Sequence, residues 1–178
     1  EQWYIKNNIT LYKGKRIADV QRGRRAVVAA DGTAVAYDRL LLATGSNPFI
    51  IPVPGHHLAG VVSFRDIHDV NAMLEASGRY RRAVVIGGGL LGLEAANGLL
   101  KQGMRVTVVH LLDSLMERQL DKPAAALLKS SLEKRGLDFL MEAQTDAILG
   151  EDRVSGVRFK NCSEIEADLV VMAAAIRP

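Results

Sequence analysis

Six consecutive residues, Gly87-Gly88-Gly89-Leu90-Leu91-Gly92, set three glycines at the spacing G-x-G-x-x-G. The apolar run AVVI leads into them, a helix is expected over about 90–102, and a second apolar run at 105–110 completes a unit of about 30 residues. In that setting each glycine has a mechanical task. Gly87 permits a tight turn out of the strand, Gly89 lets backbone approach a pyrophosphate, and Gly92 lets the helix lie close on the sheet. The N–H groups of the helix start, those of Leu90 and Leu91 among them, would face the phosphates with about half a positive charge. The same glycines would also suit a turn that only packs a helix on a strand. The flanking strand–helix–strand order favours dinucleotide binding.

The second strand of such a unit ordinarily ends in an acid that accepts from the adenine-ribose 2′-hydroxyl. Here His110 stands at that position. A histidine can donate to a hydroxyl or, protonated, pair with a 2′-phosphate. Arg118, eight residues on, would add positive charge. The plainer alternative is a histidine that simply ends a strand, and NADH and NADPH both stay open.

These residues need elements to hold them. Residues 9–44 read as short strands joined by turns, ITLYKG, KRIADVQ, AVVAADGTAV and YDRLLLATG, with Asp31-Gly32 as a hairpin signal. The proline- and glycine-rich stretch SNPFIIPVPGHH reads as a boundary, dividing the chain into residues 1–64 and 65–178. A helix is expected over 66–77, capped by Asp66, with Ile67, Val70 and Leu74 on one face and Gly78 ending the run. Another follows Asp121, with Pro123 in its first turn, Leu127, Leu128 and Leu132 on its buried face and Gly136 at its end. Gly98 costs the helix over 90–102 about 1 kcal/mol against alanine, which closer packing on the sheet would offset.

The chain also echoes itself. Shifting residues 27–48 by 130 positions lays them on 157–178 without a gap. Only four of the 22 pairs are identical, so the weight falls on the shared order of hairpin, acid, apolar strand, small residues and proline. The echo predicts two related domains. A matching glycine turn of the first copy would then lie about 40 residues ahead of residue 1, so the first domain is expected to be incomplete.

Composition narrows the classes. An apolar fraction of 48% and a charged fraction of 24% are those of a globular protein with its own core. The net charge of +3 is mild, and the arginine clusters at 22–25 and 79–82 flank strand starts, so they read as solvated edges rather than a nucleic-acid surface. The single cysteine, Cys162, excludes an internal disulfide and a Cys-x-x-Cys centre, and reads as a turn or core thiol. No metal site is expected. Apolar runs such as LVVMAAAI fall short of the roughly 18 residues a membrane helix needs, and no signal peptide opens the chain, so a cytoplasmic setting without membrane is expected.

YDRLLLATGSNP, running on to Pro54-Gly55, and AVVIGGGLLGLE together resemble the two-domain FAD/NAD(P)H flavoproteins related to the disulfide reductases. VVHLLDSLMERQLD and DLVVMAAAIRP are similar, within that family, to the large subunits of assimilatory NAD(P)H-dependent nitrite reductases. The resemblance covers essentially the whole chain. It implies an α/β, Rossmann-like FAD/NAD(P)-binding fold with a three-layer βαβ unit plus a β-meander. Ala43, Thr44 and Gly45 would lie against FAD, and Gly87, Gly89 and Gly92, with Leu90 and Leu91, would cradle the NAD(P)H pyrophosphate. Glu94 would sit near the nicotinamide, or else serve as a first-turn acid favoured by the helix dipole. One departure stands out: Ala175 occupies a position where relatives usually carry glycine, which bears on any close backbone approach there.

The implied activity is electron input. NAD(P)H would reduce FAD, and electrons would pass to iron–sulfur and sirohaem centres elsewhere in the full-length protein, reducing nitrite to ammonia. Downstream redox domains and a small subunit would be the partners, with a homo-oligomer left open and the fragment inactive alone. The rivals are a ferredoxin or rubredoxin reductase, a disulfide reductase, and a nucleotide-binding module without turnover.

Overall fold

The runs AVVI and LVVM contain no alternating polar residue, so as strands they must be covered on both faces. The computed structural model, which describes residues 1–177, shows how. Two units are distinguished, Glu1–Thr44 and Gly45–Pro178.

The first unit holds a short helix, α1 (Gln2–Lys6), and an antiparallel meander of β1 (Ile17–Gln21), β2 (Ala26–Ala29) and β3 (Ala34–Ala36). Asp31 closes the β2–β3 hairpin: its carboxylate accepts the Thr33 N–H at 3.0 Å, and Gly32 takes the left-handed φ of +86°. Strands expected from ITLYKG and YDRLLLATG do not form. A strand needs a neighbour for its N–H and C=O groups, and none of the described strands pairs with either segment. Leu41 and Leu42 are consequently left exposed.

The second unit runs β4 (Asn47–Pro48), β5 (Val61–Ser63), α2 (Ile67–Arg79), β6 (Arg82–Ile86), α3 (Leu90–Lys101), β7 (Arg105–Val109), α4 (Lys122–Glu133) and β8 (Leu137–Leu140). It continues through a meander of β9 (Thr145–Gly150), β10 (Val154–Phe159) and β11 (Glu164–Glu166) into β12 (Leu169–Met172) and β13 (Ile176–Arg177). Five parallel strands form one sheet in the order β5-β12-β6-β7-β8. The strand Val61–Ser63, which precedes the boundary read from the sequence, is thus part of this sheet.

Alternate side chains of the central strands serve different layers. Val85, Val106, Val108, Leu169 and Val171 meet Met73, Leu93, Ala96, Leu99 and Leu132 of the helices. Val84, Ile86, Val170 and Met172 meet Ile148, Val154, Val157 and Phe159 of the meander. The result is helices, sheet and meander in three layers, as the α/β reading expects. Each fully buried aliphatic side chain contributes about 1.5–3 kcal/mol to holding them together.

Asp66 starts α2 through a capping box: its carboxylate accepts from His68 and Asp69 N–H at 2.8 and 3.1 Å, while the Asp69 carboxylate reaches back to the Asp66 N–H at 3.3 Å. The helix passes through Gly78 and ends at Tyr80. Its buried stripe is Met73, Ala76 and Ser77, while Ile67 and Leu74, on the face read from the sequence, are 65% and 47% exposed. Both stripes have helical spacing, and the one with smaller side chains is the one laid against the core. Asp121 caps α4 by accepting the Ala124 N–H at 2.9 Å. Leu132 is buried as expected, but Leu127 faces solvent and Ala125 takes the place beneath the helix. Gly98 is exposed, and a Cβ there would meet no atom within 4 Å, so close packing on the sheet is not its reason.

The echo between the two halves is structural. Ala26, Val27 and Val28 pair with Ala36, Val35 and Ala34; Gly156, Val157 and Arg158 pair with Glu166, Ile165 and Glu164, the same register 130 residues on. Asn161 repeats the Asp31 turn by accepting the Ser163 N–H at 3.0 Å. Cys162 then takes the place of Gly32, at a φ of +65°.

Candidate functional site

At the end of β6 the chain turns sharply through Gly87, whose φ is +130°. The glycines of this turn are required for different reasons. A Cβ on Gly87 would lie 2.4 Å from the Ala173 carbonyl oxygen, and one on Gly92 would lie 1.9 Å from the Gly87 carbonyl oxygen. A Cβ on Gly88 would run into Leu115 and His110 at 2.6 and 2.8 Å. At Gly89 a Cβ would meet nothing within 4 Å. Three glycines are therefore needed by the protein's own packing, and Gly89 is the one whose outer side is open.

That open side belongs to a cavity of about 810 Å³, within the size range of small-molecule and cofactor sites. Gly87, Gly88 and Gly89 form one wall, and Phe49, Ile51 and Val53 form an apolar one. Val109, His110, Leu111, Leu112 and Glu117 form a third, and Gln144, Thr145, Asp146 and Lys160 close it. Gly89 also caps α3 without a side chain to offer. The first helical bond is Leu93 N–H to the Gly89 carbonyl at 3.0 Å, so the N–H groups of Leu90 and Leu91 precede the hydrogen-bonded turn. Such a helix start favours an anion. On the far wall the Thr145 hydroxyl is buried without a hydrogen-bond partner, which marks a polar group awaiting one. Beside it Asp146 is bonded to Lys160 and Arg158, which hold its carboxyl below the usual carboxylate range.

The remaining candidates fall in several places. His110 lies in the wall but is buried, and both of its ring nitrogens are engaged within the protein. Nδ1 accepts the Gly88 N–H at 3.1 Å, and Nε2 lies 3.0 Å from the Ser114 carbonyl oxygen. Arg118 is exposed and is not among the residues lining the cavity. Glu94 is exposed as the fifth residue of α3, in its second turn, and does not line the cavity either. Ala175 stands exposed on the cavity rim, its carbonyl accepting the Phe49 N–H at 2.9 Å. Ala43, Thr44 and Gly45 are exposed and outside regular structure, with Gly45 at a φ of +73° and open space around its Cα.

Glu117 and Thr145 are polar wall residues that the sequence reading misses, as it misses the apolar wall of Phe49, Ile51 and Val53 and the far wall of Gln144, Asp146 and Lys160. Glu117 adjoins Arg118, and its sequence signal is its place seven residues after His110. Thr145 carries no signal until β9 and β10 bring it to the cavity.

The family model described as pyridine nucleotide-disulphide oxidoreductase matches residues 3–178. Among curated proteins, the chain is 55% identical over 176 residues to a nitrite reductase [NAD(P)H] of Bacillus subtilis (strain 168), covering 99% of the chain and 22% of that protein. It is 43% identical to the assimilatory nitrate reductase electron transfer subunit of the same organism, covering 100% of the chain and 23% of that protein. Among solved structures, a ferredoxin reductase from Rhodopseudomonas palustris superimposes with a TM-score of 0.88 at 28% identity, covering 99% of the chain and 44% of its own. The chain thus spans less than a quarter of the two curated relatives. A match over nearly every residue, with the glycine turn and three-layer fold that go with it, means that the chain belongs to the pyridine nucleotide-disulphide oxidoreductase family.

Proposed function

We propose that the chain is the electron-input part of a flavoprotein that takes hydride from NAD(P)H to FAD and serves the reduction of nitrite to ammonia. The observation that carries the nucleotide site is Gly89. It is the glycine of the turn with free space beside it, and that space is the cavity. The two Bacillus subtilis relatives, a nitrite reductase and an electron transfer subunit, support the wider role.

In this reading the nicotinamide, when bound, supplies a hydride and the flavin accepts it. The chain's own residues bind and align. Gly87, Gly89 and Gly92 shape the turn, and the Leu90 and Leu91 N–H groups meet the pyrophosphate charge at the positive end of α3. Phe49, Ile51 and Val53 exclude water along one wall, and the Thr145 hydroxyl is free to bond a polar group of the nucleotide. Ala43, Thr44 and Gly45 present small residues and open backbone suited to close approach by a flat ring, the role proposed for them toward FAD. Glu94 is proposed to act near the nicotinamide. Sirohaem, iron–sulfur centres, downstream redox domains and a small subunit are assigned to the longer protein, outside this chain. No helix among the described residues is long and apolar enough to cross a membrane.

A second reading rests on the ferredoxin reductase likeness, and differs only in the electron acceptor. Titration of the chain with NADH and NADPH, beside a Gly89→Leu variant, tests the shared part. Binding that the variant abolishes is expected, and a folded chain that binds neither nucleotide would refute the site. Turnover of NAD(P)H by the full-length protein with nitrite, against ferredoxin as acceptor, separates the two readings.

A further inference from the structure

We infer that Glu117, rather than the strand-end residue His110, reads the adenine-ribose end of the nucleotide and selects NADH over NADPH. The inference rests on the nucleotide-site reading above. In a βαβ dinucleotide unit the ribose 2′-hydroxyl needs an acceptor near the end of the second strand. His110 cannot supply it. Nδ1 accepts from Gly88 N–H at 3.1 Å and so carries no proton, which places the proton on Nε2, where it is donated to the Ser114 carbonyl at 3.0 Å. Neither nitrogen is left for a ligand.

A carboxylate stands where the acceptor is wanted. Glu117 Oε2 lies 3.4 Å from His110 Nε2, and Glu117 lines the same cavity wall as His110 while remaining partly open to solvent. The loop that carries it is tied to the glycine turn. Met116 N–H donates to the Gly88 carbonyl at 3.1 Å, so Gly88 is bonded through both its backbone groups to the segment after β7. Leu115 is buried beneath, and Met116 adopts a φ of +50°, uncommon for a residue with a side chain. A turn begins at that residue, whose carbonyl accepts the Gln119 N–H at 2.8 Å, and Glu117 lies within it.

The charges settle the preference. A carboxylate accepts from a hydroxyl but repels a 2′-phosphate at the same place. The lysine on the cavity wall, Lys160, is bonded to Asp146, and Arg118 does not line the cavity. Among the described lining residues no unpaired cation offsets the repulsion. Glu117 therefore supplies from a loop the acceptor that the strand end lacks.

The test measures dissociation constants of the full chain for NADH, NADPH and an NADH analogue lacking the adenosine 2′-hydroxyl. It compares wild type with Glu117→Gln and with Arg118→Ala as a control, each shown folded by circular dichroism. Wild type should prefer NADH, and lose about tenfold in affinity when the 2′-hydroxyl is removed, the value of a charge-assisted hydrogen bond. Glu117→Gln should weaken NADH by a similar factor, strengthen NADPH, and lose sensitivity to the 2′-hydroxyl. Arg118→Ala should leave the NADH to NADPH ratio unchanged. A ratio unaltered by Glu117→Gln, or a wild type that prefers NADPH, would overturn the inference while leaving the nucleotide site intact. A folded chain that binds none of the three would overturn both.

Discussion

Alanine at Gly92 and at Gly89, made separately, distinguishes what the turn needs for packing from what it needs for a ligand. Gly92 lies in the first turn of α3, where an unhindered Gly→Ala change in a helix gains about 1 kcal/mol. Here the new methyl carbon would sit 1.9 Å from the Gly87 carbonyl oxygen, well inside contact distance. Backbone, not a pliable side chain, is what it meets. Gly87 cannot retreat freely, because its own Cα already faces the Ala173 carbonyl. Overpacking of this kind costs about 1–3 kcal/mol, so Gly92→Ala should be clearly less stable than wild type. Gly89 has φ −84° and ψ −178°, which any residue adopts, and a Cβ there meets nothing within 4 Å. Its replacement should cost no more than about 1 kcal/mol, the difference between glycine and alanine as a helix cap. In exchange the methyl occupies the space a pyrophosphate would use, and NADH affinity should fall at least about tenfold, or 1.4 kcal/mol. Urea unfolding followed by circular dichroism gives the first quantity, and NADH titration of the folded variants gives the second. A Gly92→Ala protein as stable as wild type, or a Gly89→Ala protein that binds NADH undiminished, would refute the division of labour.

Two further outcomes are expected. Asp168 accepts the Arg82 N–H at 2.9 Å and Arg82 Nη2 at 2.8 Å, and Arg82 holds its carboxyl at about 2 against 3.8 when free. With the folded value below the unfolded one, this stabilisation of about 2 kcal/mol is complete above about pH 4 and vanishes as pH falls through about 2. The half-exposed guanidinium makes that an upper figure. Asp168→Asn should lower stability at pH 6 and flatten its loss between pH 4 and pH 2; parallel stability–pH curves for the two proteins would count against the pair. Gly98→Ala should raise stability by about 1 kcal/mol, since the helix gains and the exposed methyl meets nothing. A lower melting temperature for that variant would show that Gly98 has a packing role after all.

Local chemistry made much of this legible. Asp66 and Asp121 announce helix starts because a short acidic side chain is suited to unmet N–H groups, and both do cap. The glycine turn was visible because its spacing sits between an apolar run and a helical one. The 130-residue echo was visible because a hairpin closed by an Asx turn depends on residues only two apart. What stayed hidden depends on tertiary partners. Ile67, Val70 and Leu74 make as good a helical stripe as Met73, Ala76 and Ser77, and only the sheet beneath decides between them. YDRLLLATG has strand composition, but composition cannot furnish a neighbouring strand. Glu117 and Arg118 are adjacent in sequence, and the left-handed turn at Met116 precedes them without any glycine to mark it.

The place of β12 bears on how the protein comes to be made. Its four residues are all buried, and it lies between β5 and β6, which precede it by roughly 110 and 85 positions in the sequence. A ribosome therefore delivers both neighbours long before the strand that joins them. Until Leu169–Met172 emerges, β5 has no partner in the sheet and β6 presents a bare apolar edge, the kind of template that recruits other chains. Completion of the sheet is thus a late event set by the slow closure of long-range parallel contacts rather than by the local hairpins. Shortening the chain before Leu169 would not trim a margin: it would take out an interior strand of the sheet and separate β5 from the strand it pairs with.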